Sequence, residues 1–232
     1  MAQTEANRGL PGSHLFAVAT VPGGEGTLRA IHERRAVRAY TDKPVTREHI
    51  DALLDAAVHA PSAVNAQPWA FVVIQKPELL HSYAERAKAL LLGEPAAAEV
   101  VSSGLPELDR LRQMVSEPGY RLFHGAATLI TIYSTSVGGV PDCYLAAENL
   151  MLAAWAIGLG TCPIGLATPL FNRTDMKAEL GILPTWAAAL PIVVGHPAGQ
   201  APPPARQPPR IEAWIEPTSA ATVPANAVTE VR

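Results

Sequence analysis

Apolar positions recur at helical spacing in two early stretches. In "TLRAIHERR", Leu28, Ile31 and the stem of Arg35 share one side behind Thr27, a candidate N-cap. In "TREHIDALLDAAVHA", Thr46 precedes Ile50, Leu53, Leu54 and Ala57, and Pro61 stops the pattern, predicting a capped amphipathic helix. The period then changes. "AFVVIQK" at 70–76 and "ATLITIYS" at 127–134 are short apolar runs rich in β-branched residues and read as buried strands, as does "WAAALPIVVGHP" near 190. Between them lie a helical "ELLHSYAERAKALLL" and a mixed stretch, 93–119, that reads as a cover with a helical middle. From Asp142 to Gly158 the chain is apolar on nearly all sides, which predicts a core helix with Asp142 as N-cap and Gly158 as its stop.

The order of elements gives a mixed α/β protein. Residues 1–26 read as a flexible arm, 27–198 as one domain, and 199–232 as an extended tail opening with five prolines in eleven residues. A helix apolar on nearly every side cannot be covered by one sheet, so a dimer interface is the economical expectation.

Composition excludes several classes. A net charge of -3 gives no global basic field for nucleic acid or an anionic membrane, so an anion must be bound locally. Cys143 and Cys162 stand apart without metal-ligand spacing, which indicates neither a metal site nor a disulfide framework and fits a reducing cytoplasm. The longest apolar run, from Tyr144, carries Glu148 and falls short of the ~20 residues of a membrane span. The chain holds no GxSxG, HExxH, GxxxxGK[ST] or GxGxxG motif.

Three segments concentrate chemistry. "RRAVRAY" sets three arginines within five positions, planar forks suited to phosphate; the alternative is a solvated helix end. In "HAPSAVNAQPW", Asn65 and Gln67 offer amides that donate and accept, matching a heterocycle edge; the alternative is turn chemistry. "GLGTCPIG" brings the backbone close to something, or else caps a helix before a tight loop.

Together, "ERRAVRAYTDKPV", "LLDAAVHAPSAVNAQPWAFVV", "AAENLMLAAWAIGLGTCPIG" and "PIVVGHP" resemble the nitroreductase family of FMN-dependent oxidoreductases from about residue 29 to about residue 210. The resemblance implies a three-layer α/β/α fold in an intertwined homodimer, with FMN in clefts between subunits and the tail wrapping the partner. It implies that Arg34 and the tail's Arg206 bind the FMN phosphate and that Arg38 sits near the flavin O2 edge. Arg35 falls in the same cofactor block, with its side chain expected to point elsewhere. Asn65 is expected on the pyrimidine rim, with Pro61, Ser62 and Gln67 in the same loop, and Pro163, Ile164, Gly165 and Leu166 along the other face, offering backbone N–H groups. Phe123 and His124 would shape the substrate pocket. Three positions depart from the family pattern: Ala36 where many members carry Ser, Gly165 where several carry Glu, and Pro204 where some carry Lys. The implied activity is ping-pong hydride transfer from NADH or NADPH to a small acceptor such as a nitroaromatic or quinone. The alternatives are a specialised dehydrogenase, dehalogenase-like or flavin-fragmenting relative, and a non-catalytic FMN-binding protein.

Overall fold

The computed structural model describes residues 21–93 and 106–215. Four strands form one antiparallel sheet: β1 (Trp69–Ile74), β2 (Thr128–Ser134), β3 (Gly160–Pro163) and β4 (Ala187–Gly195), in the order β1-β2-β4-β3. Alternation along the central strands sends side chains to opposite faces. Leu129, Tyr133 and Val193 join one core; Ile130, Ile132, Ile192 and Val194 join the other. Helix α3 (Pro77–Gly93) and the short α6 (Thr168–Asn172) and α7 (Thr174–Glu179) cover the first face, with Tyr83, Phe171 and Met176 at its centre. Helices α2 (Arg47–Val58) and α5 (Val140–Ala156) cover the second through Leu53, Ala57, Ala147 and Leu150. The result is three layers, α/β/α. Helix α1 (Gly24–Glu33) lies against α5, and α4 (Pro106–Ser116) against α3.

Local chemistry sets the boundaries. Thr46 caps α2 as expected, its hydroxyl accepting from the His49 N–H while the His49 ring accepts the Thr46 N–H. Gly158, at φ 79°, takes the left-handed turn that stops α5. Three expectations are corrected, and two short helices were not foreseen. Helix α1 begins at Gly24 behind Gly23, so Thr27 is not its cap, and its buried residue is Ala30 while Ile31 stays 51% exposed. Asp142 does not cap α5: Pro141 in the first turn carries the start back to Val140, and the Asp142 carboxylate turns outward instead. Residues 160–163, read as part of a cap and loop, form strand β3, whose order comes from pairing with β4 and not from any local period. Helices α6 and α7 are too short to show a helical period in the sequence.

The stretch 93–119 contains α4, but 94–105 lie outside the described residues, as do 1–20 of the arm and 216–232 of the tail. Residues 199–215 of the tail form neither helix nor strand. Among the described residues no helix is long and apolar enough to cross a membrane.

The outer edge of β3 is occupied by the arginine segment, joined by a parallel bridge between Ala36 and Thr161 and the bond from Val37 N–H to the Thr161 carbonyl at 2.9 Å. Gly160 makes this approach possible, because a Cβ there would lie 2.7–2.9 Å from the Val37 side chain. Gly160→Ala should therefore cost about 1–3 kcal/mol of stability through overpacking against a stiff β-branched neighbour, read by urea denaturation. Adding Val37→Ala should restore most of the loss, and a Gly160→Ala protein as stable as the parent would contradict this packing.

Candidate functional site

The arginines owe their placement to that docking. Beyond Val37 the segment bonds to the end of β4: Thr41 N–H donates to the His196 carbonyl and Ala198 N–H to the Ala39 carbonyl, both at 2.9 Å. Tyr40 lies over Gly195, where a Cβ would meet its ring at 2.7 Å, and its hydroxyl donates to the Val37 carbonyl at 2.7 Å. Burial raises the Tyr40 pKa, keeping this hydroxyl a donor. Alternation about Ala36 then separates Arg34 and Arg38 from Arg35. Arg35 folds back on the end of α1, its Nη1 donating to the carbonyls of His32 at 2.6 Å and Arg34 at 2.9 Å. These bonds hold the Arg35 Nη1 at the helix end, in line with a side chain expected to point elsewhere. Arg34, its side chain 20% exposed, sets Nε against Glu148 Oε1 of α5 at 3.2 Å, while its Nη1 and Nη2 have no partner among the described residues. Arg38 is exposed and forms no hydrogen bond or ion pair there.

Strand β3 leads into a second donor group. Ile164 N–H is committed to the Pro191 carbonyl at 2.8 Å, and Pro163 has no N–H. The expected backbone donors therefore reduce to Gly165 and Leu166. They open the single helical turn Gly165–Ala167, where the first N–H groups have no acceptor within the turn. A Cβ at Gly165 would meet nothing within 4 Å, so a flat group has free approach to this backbone.

Arg38 lies near Tyr120, His124 and Cys162, acting on all three electrostatically. The His124 and Tyr120 rings meet edge to face at 6.3 Å. Burial first and Arg38 second lower the His124 pKa, so the ring is neutral at pH 7. His124 holds a left-handed φ of 54° in the turn before β2. Phe123, expected in the substrate pocket, is 3% exposed and packs in the core, which leaves His124 and Tyr120 at the surface of that turn.

The third group is the loop before β1. Val64, Asn65 and Gln67 have φ of 47°, 57° and 48°, so three non-glycine residues of four are left-handed, one of them β-branched. Such backbone persists only where its surroundings hold it. Ser62 Oγ accepts the Gln67 N–H at 3.0 Å, and Asp142 Oδ2 accepts the Ala63 N–H at 3.4 Å. Ser62 is thus a clamp on the loop. Pro61 is exposed beside it, Val64 is 99% exposed, and the Asn65 and Gln67 amides form no hydrogen bond among the described residues.

The fold brings Arg34, Arg38, Gly165, Leu166 and His124 to the β3 side. It does not bring the Asn65 loop there: that loop precedes β1, at the opposite edge of the sheet. Three strand spacings put about 14 Å between the two edges. Arg206 lies in exposed tail with no hydrogen bond or ion pair among the described residues. Sequence reasoning missed Glu148, Asp142 and Tyr120. Glu148 had a signal, as the only charged residue between Cys143 and Leu159 of a mostly apolar run.

Comparison with known proteins bears on the family and the fold. Residues 31–196 match the Nitroreductase family. An NAD(P)H-dependent FMN reductase of Bacillus subtilis is 30% identical over 176 residues, 74% of this chain and 66% of its own length. A nitroreductase of Mycolicibacterium smegmatis is 30% identical over 204 residues, 72% of this chain and 84% of its own. The solved structure of a nitroreductase with bound FMN from Desulfitobacterium hafniense superposes with a TM-score of 0.68 at 25% identity, spanning 82% of this chain and 98% of that one.

The clamp can be tested alone. Ser62→Ala should free the Gln67 amide and speed its hydrogen exchange about fivefold, the equivalent of a hydrogen bond worth about 1 kcal/mol. Unchanged exchange at Gln67 would remove Ser62 from that role.

Proposed function

The chain belongs to the nitroreductase family, and from that premise we propose that it is an FMN-dependent NAD(P)H oxidoreductase working by alternating half-reactions on a small acceptor such as a nitroaromatic or quinone. One observation carries the reading. Arg34, with two guanidinium nitrogens unpaired among the described residues, Arg38, and the N–H groups of Gly165 and Leu166, likewise without an acceptor there, line one edge of the sheet beside an open glycine backbone. A phosphate dianion suits the guanidinium fork, and the carbonyl and ring nitrogens of a planar heterocycle suit backbone donors. The residues present therefore fit FMN.

In this reading Arg34 and Arg206 hold the phosphate, and Arg38 sets positive charge near the pyrimidine ring, favouring added electron density there. Gly165 and Leu166 donate from the backbone, and the absence of a Cβ at Gly165 keeps the approach open. FMN held by these residues would supply the redox chemistry, two-electron transfer between NAD(P)H and the acceptor. Neutral His124, beside Tyr120, borders the space where donor and acceptor would alternate.

The Asn65 and Gln67 amides face the same cofactor in this reading, but from a second copy of the chain. Their lack of a hydrogen bond among the described residues and their place at the far edge of the sheet support that composite site. So do Tyr144 and Leu145, exposed on α5, and Ile211, Trp214 and Ile215, exposed in the tail.

The purified protein should be yellow, release FMN on denaturation, and bleach under anaerobic NADH or NADPH. Arg34→Ala should weaken FMN about ten- to a hundredfold, the loss of a charged phosphate contact. Light scattering should give a dimer. A protein that takes up no added FMN and oxidises neither nicotinamide would overturn the reading.

A further inference from the structure

Resting on that reading, we infer that Glu148 is a positioning residue for the phosphate site: its carboxylate fixes the Arg34 guanidinium so that the Nη1/Nη2 edge is presented to the FMN phosphate. Arg34 follows the last residue of α1, where the backbone changes from helical to extended (φ −57°, ψ 138°), and a long side chain at such a junction has many rotamers to lose. One contact selects among them. Glu148 Oε1 meets Nε, the inner nitrogen, at 3.2 Å, and no second bond joins the pair. The terminal nitrogens, with their four N–H groups, remain for an anion; a carboxylate on the Nη edge would instead compete with it.

Glu148 is the only acid of α5 beyond the first turn, and its carboxylate is spent on Arg34 although the side chain is partly exposed. A carboxylate near a phosphate also repels it, so its presence carries an electrostatic penalty that orientation must outweigh.

The two effects separate by comparing FMN with riboflavin, which lacks the phosphate. Binding of both is titrated by flavin fluorescence in wild type, Glu148→Ala and Glu148→Gln. Wild type should prefer FMN. Glu148→Ala should lose about fivefold or more of that preference, with riboflavin affinity unchanged, showing that fold and ring contacts are intact. Glu148→Gln keeps an acceptor for Nε without the charge and should retain the wild-type preference or exceed it. The inference is overturned if Glu148→Ala keeps or increases its preference for FMN, which would leave only repulsion. It is equally overturned if Glu148→Gln falls as far as Glu148→Ala, or if both ligands weaken in parallel. A wild type that binds neither flavin would instead fail the FMN reading itself.

Discussion

The candidate site depends on one steric constraint: the sheet edge at β3 and the end of β4 must be bare of side chains where the arginine segment crosses them. Gly160 and Gly195 meet that need, with Val37 and Tyr40 filling the space a Cβ would take. The backbone bonds of Val37, Thr41 and Ala198 then fix the segment. A charged stretch that would otherwise be a loose loop becomes part of the sheet, and Arg34 and Arg38 gain a fixed direction. Without the bare edge, fixed cation would still be present, but not beside the free amides of Gly165 and Leu166.

Helix α5 ties the two parts of the site to one frame. Its two acids each reach a different part: Asp142 accepts from the loop before β1, and Glu148 accepts from Arg34. They stand six residues apart, about 9 Å along the axis, on a helix otherwise uncharged. The loop needs such a hold, because its left-handed residues cost energy that the Ser62 and Asp142 contacts must offset. What the strain secures is a pair of side-chain amides with no hydrogen-bond partner among the described residues.

Much of the fold was legible because it rests on period and punctuation. The strand runs, the Thr46 cap, the Gly158 stop and the mixed α/β order all follow from local residues. Strand β3 was not legible, since four residues starting at glycine and ending at proline carry no alternation; its pairing with β4 is tertiary. Asp142 reads as a cap in the sequence, yet Pro141 had already started the helix. At the site, the resemblance named the segments, but which groups within them are already committed to the fold waited for geometry. Arg35 serves a helix end, the Ile164 N–H serves the sheet, and Phe123 serves the core. Each is a competition for one group that a linear pattern does not display.

The distribution of unsatisfied features bears on assembly under the proposed reading. Donors for a phosphate and a ring lie at one edge of the sheet, and amides for the same ring lie about 14 Å away at the other. Helix α5 buries Ala146, Ala147 and Leu150 but leaves Tyr144 and Leu145 open. A two-fold axis beside α5 would answer both at once. An isologous contact covers the same apolar face on each copy and carries each loop to the partner's arginine edge, making two equal sites from two incomplete ones. The proline-rich tail fits the same scheme, because a segment already extended loses less entropy when it crosses to another subunit. Arg206, without a partner among the described residues, would then complete a phosphate site begun by Arg34.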